Sequence, residues 1–197
     1  MQGPHQEVLA NYTYVKDRPL LNTNNYTIWS GNQNETNIPV TIKLLKYPHI
    51  ELPKYLKKLK EVKSEQVIKI FELSAEQSSL LLITEAVNYG TLKQGLATCH
   101  HLDEQDALFV ARNLLNGHVE CLRMDLHWFG TEDDVEFTDT GMKLSWNNSC
   151  PYNIANPFPN MLARLTARQE GKGSTLLPFP EVKGIKELIA VSKENAS

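Results

Sequence analysis

The first half of the chain is patterned for strands and is interrupted once by helical spacing. Tyr12-Thr13-Tyr14-Val15, Tyr26-Thr27-Ile28-Trp29 and Val40-Thr41-Ile42-Lys43-Leu44-Leu45 are short runs rich in β-branched, aromatic and aliphatic residues, the composition of strands. Asn22-Thr23-Asn24-Asn25 and Gly31-Asn32-Gln33-Asn34 are polar links of hairpin length, so a meander of three antiparallel strands is expected. Leu52, Leu56, Leu59 and Val62 then recur at helical spacing. Pro53 suits the first turn, and Lys54, Lys57, Lys58, Lys60 and Lys63 are interleaved. This predicts one amphipathic helix with a basic outer face. Val67-Ile68-Lys69-Ile70-Phe71 and Leu80-Leu81-Leu82-Ile83-Thr84 return to strand character across a polar turn from Ser74 to Ser79.

The second half reads as helix. Asp103 can cap a helix running to about Arg123, with Leu108, Ala111, Leu115 and Leu122 as its expected inner stripe. Val135-Glu136-Phe137 and Met142-Lys143-Leu144 flank Thr138-Asp139-Thr140-Gly141, the pattern of a short hairpin. From Asn147 onward proline, asparagine and glycine are frequent. Two short helical candidates remain there, 160–170 and 185–191, the second with Ile185, Leu188 and Ile189 on one side. There is no internal repeat.

Composition narrows the class. A length of 197 residues suits one domain, or one domain with a tail. Hydrophobic residues at 41% and charged residues at 22% are ordinary for a globular protein and argue against global disorder. A formal charge of −3 gives no large field to attract nucleic acid. The aliphatic run Leu80 to Ile83 is far short of the ~20 residues a bilayer span needs. The first six residues lack the basic start and apolar core of a secretory signal, so an intracellular, cytoplasmic chain is expected. Cys99, Cys121 and Cys150 are expected to be free thiols. Cys99, His100, His101 and Cys121 carry zinc-suited side chains, but their spacing matches no zinc pattern and buried or solvated side chains are expected. Five Asn-x-Ser/Thr triplets, at Asn11, Asn25, Asn34, Asn147 and Asn195, read as by-products of an asparagine-rich composition.

The order three strands, helix, two strands, short link, long helix and small hairpin resembles a protein kinase from its start to the metal-binding loop. Val40-Thr41-Ile42-Lys43 is similar to the Val-Ala-Ile-Lys motif whose lysine pairs with nucleotide phosphates. Leu82 to Val87 resembles the strand and hinge joining the two lobes, with Thr84 as gatekeeper. Gly90-Thr91-Leu92 resembles the Gly-Ser-Leu that commonly follows it. Thr138 to Ser145 resembles the hairpin leading into Asp-Phe-Gly. The resemblance spans about residues 12–148. It implies an α+β, kinase-like domain over 10–148, with a five-stranded antiparallel N-lobe sheet and one helix (10–87). A reduced helical C-lobe (88–148) and an irregular tail with short helices (149–197) follow. Within the superfamily, Thr84-Glu85-Ala86-Val87 and the missing motifs resemble the SCY-like pseudokinases.

The same alignment removes the chemistry. Phosphoryl transfer needs a close backbone grip on phosphate, magnesium on carboxylate and amide oxygens, and a base at the acceptor hydroxyl. The turn that should be glycine-rich is Leu21-Asn22-Thr23-Asn24-Asn25-Tyr26, without glycine. His127-Trp128-Phe129 takes the place of His-Arg-Asp, so Phe129 replaces the base. Thr131 replaces the common lysine, and Asp134 falls at the metal-binding asparagine. Trp146-Asn147-Asn148 aligns with Asp-Phe-Gly, so the indole of Trp146 replaces the magnesium carboxylate. Losing both groups would remove several kcal/mol of transition-state stabilisation. No enzyme activity is expected. Glu132, Asp133, Asp134, Glu136 and Asp139 are read as an acidic solvated face, with Asp134 alone kept as a residual metal ligand.

Lys43 is the retained catalytic-type residue. Tyr55 falls at the slot of its usual glutamate partner, with Glu51 one turn earlier and Glu61 beyond. The expectation is a lysine at the mouth of an empty cleft, paired locally with Glu51 or solvated. Trp128, Phe129 and Trp146, if they point inward, would fill the space left by nucleotide, metal and substrate; the alternative is that they are core residues of a degenerate hairpin. The leading reading is therefore an inactive pseudokinase serving as a protein-interaction or scaffold subunit, in a stable complex with other proteins and without a cofactor. Lys54, Lys57, Lys58, Leu176, Leu177 and Phe179 are its candidate interface residues, and a helix lacking its usual neighbours is expected to expose apolar area. The alternative is a nucleotide-binding switch holding ATP through Lys43, Glu85 and Val87. A third reading is an enzyme of another class with a metal site between Glu132 and Asp139.

Overall fold

The computed structural model describes residues 4–46, 52–76, 78–99, 102, 104–128 and 130–147. A short helix, α1 (Pro4–Leu9), precedes β1 (Tyr12–Tyr14), β2 (Leu21–Asn22), β3 (Tyr26–Gln33) and β4 (Pro39–Lys46). Then come α2 (Leu52–Lys60), β5 (Ile70–Glu76), β6 (Ser79–Glu85), α3 (Leu92–Cys99) and α4 (Glu104–Arg123). A 3₁₀ turn (Glu132–Asp134) leads into the hairpin β7 (Val135–Thr138) and β8 (Gly141–Leu144). The class is α+β. The larger sheet is antiparallel, ordered β1-β3-β4-β6-β5, with β2 also paired to β3.

That sheet has six strands where five are expected from sequence. The extra one is β2, which pairs Leu21 with Ile28 and Asn22 with Thr27, while β1 pairs with the far end of β3, Tyr12 opposite Gln33. A two-residue strand has no period to detect, so only its partner reveals it. The turn that follows is held by Thr23, whose Oγ1 accepts from Tyr26 N at 3.0 Å and from Asn25 N at 3.3 Å.

β5 is also displaced from its expected position. Val67 and Ile68 leave the sheet for β8: Val67 bridges Leu144, and Ile68 N donates to Leu144 O at 2.9 Å. The strand runs instead to Glu76, through residues that read as a polar turn. Ser74 Oγ lies 3.0 Å from His5 Nδ1, and Glu76 Oε1 accepts from His5 N at 3.0 Å. Pairing with β6 makes strand positions of turn-forming residues, and α1 supplies partners for their side chains.

Strand alternation gives the sheet two apolar faces. Val40, Ile42, Leu81 and Ile83 lie on one, under α1 and β1. Leu45, Leu80 and Leu82 lie on the other, against Leu52, Leu56 and Leu59 of α2 and the larger core that continues into α4 and the hairpin. The α2 stripe is as its period dictates, and Lys54, Lys57 and Lys58 are exposed opposite it.

Helix α4 is rotated from expectation. Its inner side is Ala107, Val110, Leu114, Gly117 and Cys121, whereas Leu108, Leu115 and Leu122 are 61%, 47% and 41% exposed. Apolar residues recur on two faces of this helix, so periodicity alone cannot orient it. Gly117 chooses the face, because a Cβ there would lie 2.6 Å from Leu144 Cδ1. Gly117→Val is therefore expected to destabilise the fold by about 1–3 kcal/mol through overpacking. Urea denaturation checks this, and an unchanged midpoint would refute the close approach. Asp103, the expected cap, and the tail candidates 160–170 and 185–191 lie outside the described residues.

Candidate functional site

Lys43 sits mid-strand in β4, on the face that meets the β7–β8 hairpin. Its side chain is 0% exposed. The ammonium lies 2.6 and 2.8 Å from the two carboxylate oxygens of Glu136, 2.8 Å from Asn147 Oδ1 and 3.0 Å from Ser145 Oγ. Three N–H donors thus serve four acceptors, and none is left for a ligand. Glu136 is itself 2% exposed and accepts from Asn147 Nδ2 at 2.9 Å. A buried ion pair is tolerable only when its remaining valences are met this fully.

The hairpin is held in register by the turn the sequence announces. Thr138 pairs with Gly141, and Gly141 has φ of +119°, which glycine adopts without a Cβ penalty. Asp134 closes the other end. Its Oδ2 accepts from Thr131 N at 2.9 Å in a capping box, and its Oδ1 accepts from Asn147 N at 2.5 Å. Asn147 Nδ2 donates to Asp133 O at 2.6 Å. Asn147 thereby ties the lysine, the glutamate and the 3₁₀ turn into one network.

An aromatic cluster backs this network. Trp128 is 0% and Trp146 3% exposed, and their rings meet edge to face at 6.3 Å. Trp128 Nε1 donates to Ser145 O at 3.1 Å. Tyr55 of α2 lies 4.6 Å from Trp146, centroid to centroid, and donates its hydroxyl to His127 O at 2.8 Å. No family model matches this chain, and no curated protein is significantly similar to it.

Two expectations are corrected here. Lys43 is neither at an open cleft mouth nor solvated; a glutamate 93 residues away holds it. The acidic stretch is not one solvated face. Asp134 and Glu136 are buried, Glu132 and Asp133 are half-buried, and Asp139 alone is exposed. Burial follows from use: Asp134 caps backbone amides and Glu136 balances Lys43. Both Asp134 oxygens are engaged by protein donors, which argues against the residual metal-ligand role. Asp133 instead bonds Lys93 at 2.6 Å, and that contact raises the Lys93 pKa above the usual lysine value.

Val87 and Glu85, the expected nucleotide contacts, are engaged within the protein. Val87 N donates to Thr41 Oγ1 at 2.9 Å. Glu85 accepts from Lys69 N at 2.8 Å through one oxygen and from Thr140 Oγ1 at 3.1 Å through the other. Phe129, Leu176, Leu177 and Phe179 lie outside the described residues, as do His100, His101, Glu51 and the side chain of Cys99. Among the described residues no group of three or more His, Cys, Asp or Glu could hold a metal. No described helix is long and apolar enough to cross a membrane.

Sequence reasoning missed Glu136, Ser145 and Asn147 as partners of Lys43, since nothing local marks a pairing across such separations. A glutamate between Val135 and Phe137 in a strand was the one available hint. Cys121 is buried in the core, and burial pushes its thiol up to about 12. It is expected to resist alkylation at pH 8 in the folded protein and to react on unfolding, which peptide mapping after iodoacetamide treatment reads directly.

Proposed function

We propose that this chain is a catalytically inactive, protein kinase-like module that serves as a protein-interaction or scaffold subunit of a larger assembly. One observation carries the inactive reading: the ammonium of Lys43 is wholly committed to Glu136, Ser145 and Asn147. A lysine meant for nucleotide phosphate must leave a donor free. The indole of Trp146 packed on Tyr55 supports the same reading, because ring contacts occupy the positions aligned with the magnesium carboxylate and the helix glutamate. The element order, with α2 between β4 and β5 and a long helix before the hairpin, supports the kinase-like part.

The interaction role is supported by surface. Leu108, Leu115, Val119 and Leu122 present an apolar row along the outer side of α4, with Met124 just beyond it. Apolar rows of this kind mark contact surfaces. Lys54, Lys57 and Lys58 add a basic face on α2, where Lys58 lies 3.8 Å from Asp125.

A thermal-shift titration tests the first half. Magnesium-ATP at ~100 times its dissociation constant would raise Tm by about 2–4 °C for a domain of this size. No shift is expected, and a clear one would favour the nucleotide switch instead. For the second half, the tagged protein and its Leu115→Glu, Leu122→Glu variant are recovered from native extract. Stoichiometric companions are expected with the parent and lost with the variant. Companions that persist would move the interface off α4, and none with the parent would overturn the scaffold role.

A further inference from the structure

On the sheet face opposite Lys43 there is a recess of about 560 Å³ between α1, the end of β1 and the middle of β3. That volume lies within the range of small-molecule sites. Its floor is the cross-strand pair Leu44 and Leu81. One wall is aromatic, with Tyr14 and Trp29 meeting edge to face at 5.8 Å, and Leu9 of α1 forms part of the other. The helix is fixed there by His5, whose ring nitrogens lie 3.0 Å from Ser74 Oγ and 2.9 Å from Ser79 Oγ.

The recess has a charged rim. Trp29 Nε1 donates to Lys16 O at 2.9 Å, which pins the backbone of Lys16 beside the indole. The ammonium of Lys16 has no hydrogen-bond or ion-pair partner among the described residues. The indole N–H is already satisfied, so what the wall offers a ligand is its ring. A flat apolar body can lie between Trp29 and Leu9 over the two leucines while an anionic head meets Lys16. An aliphatic chain would use the floor but not the ring surface, and a neutral ring would forgo the attraction to the exposed Lys16 ammonium.

We propose that this recess binds a small aromatic monoanion, a one- or two-ring carboxylate. The site is independent of the kinase-like reading, since it uses neither Lys43 nor the hinge. The probes are 2-naphthoate and its neutral counterpart 2-naphthalenemethanol, titrated against the full chain and followed by NMR of the leucine methyl groups. Naphthoate is expected to saturate with a Kd below about 1 mM, as befits so small a ligand. Ring-current shifts are expected at Leu44, Leu81 and Leu9. Lys16→Gln is expected to weaken naphthoate by up to about fivefold and to leave naphthalenemethanol unchanged. Ala10→Trp, at an exposed lip position, is expected to block both ligands without lowering Tm. Absence of saturation, methyl shifts confined to other leucines, or equal weakening of both ligands by Lys16→Gln would each overturn the proposal.

Discussion

Replacing Lys43 with methionine is expected to destabilise the fold by about 3–5 kcal/mol, the cost of leaving a buried charge without its partner. Glu136 is 2% exposed and accepts its shortest described contact from this lysine, so the variant leaves its carboxylate buried without that counter-charge. Methionine fills much of the same volume, which keeps the loss electrostatic. The second half of the prediction is more diagnostic. Lys43→Met combined with Glu136→Leu is expected to recover much of the loss, because two apolar groups can substitute for a buried ion pair at little cost. Urea denaturation of the two single variants and the double variant measures both. A single-variant loss under about 1 kcal/mol would mean that Lys43 is free in solution, and would revive its role as a phosphate ligand.

Trp128→Ala is expected to cost a comparable amount, about 3–5 kcal/mol. The ring is 0% exposed and so closely enclosed that a Cβ at Gly130 would collide with it. Truncation removes the edge contact to Trp146 and leaves Ser145 O without its N–H donor. Trp128→Phe weighs the two effects differently, since it keeps much of the ring volume while losing the hydrogen bond; a smaller loss of about 1–3 kcal/mol is expected for it. Ser145 also contacts Lys43 through its hydroxyl, so the Lys43 and Trp128 variants share a neighbour. Their combined effect should depart from additivity by 0.5 kcal/mol or more, near ~0.5–3. Strict additivity would indicate that the aromatic cluster and the lysine network are separate units.

Much of the local structure is written in the chain. The period of Leu52, Leu56 and Leu59 placed α2 and its buried side, and Thr138-Asp139-Thr140-Gly141 placed the hairpin turn, where the structure adds the positive φ of Gly141. These signals are local: a helix stripe repeats every few residues, and a tight turn selects its own residues.

What tertiary structure alone decided is everything that depends on a distant partner. β2 exists because β3 lies beside it. Ser74 and Glu76 are strand because β6 pairs with them, and α1 meets their side chains. The orientation of α4 was ambiguous in a sequence with apolar residues on two faces, until Gly117 met Leu144. For Lys43 the difference is one of state. The sequence specified a lysine on a strand and a glutamate between Val135 and Phe137, but a charge can be buried only if its counter-charge is brought to hydrogen-bond distance. That pairing joins residues 93 apart, and only the packing of the hairpin against the sheet creates it.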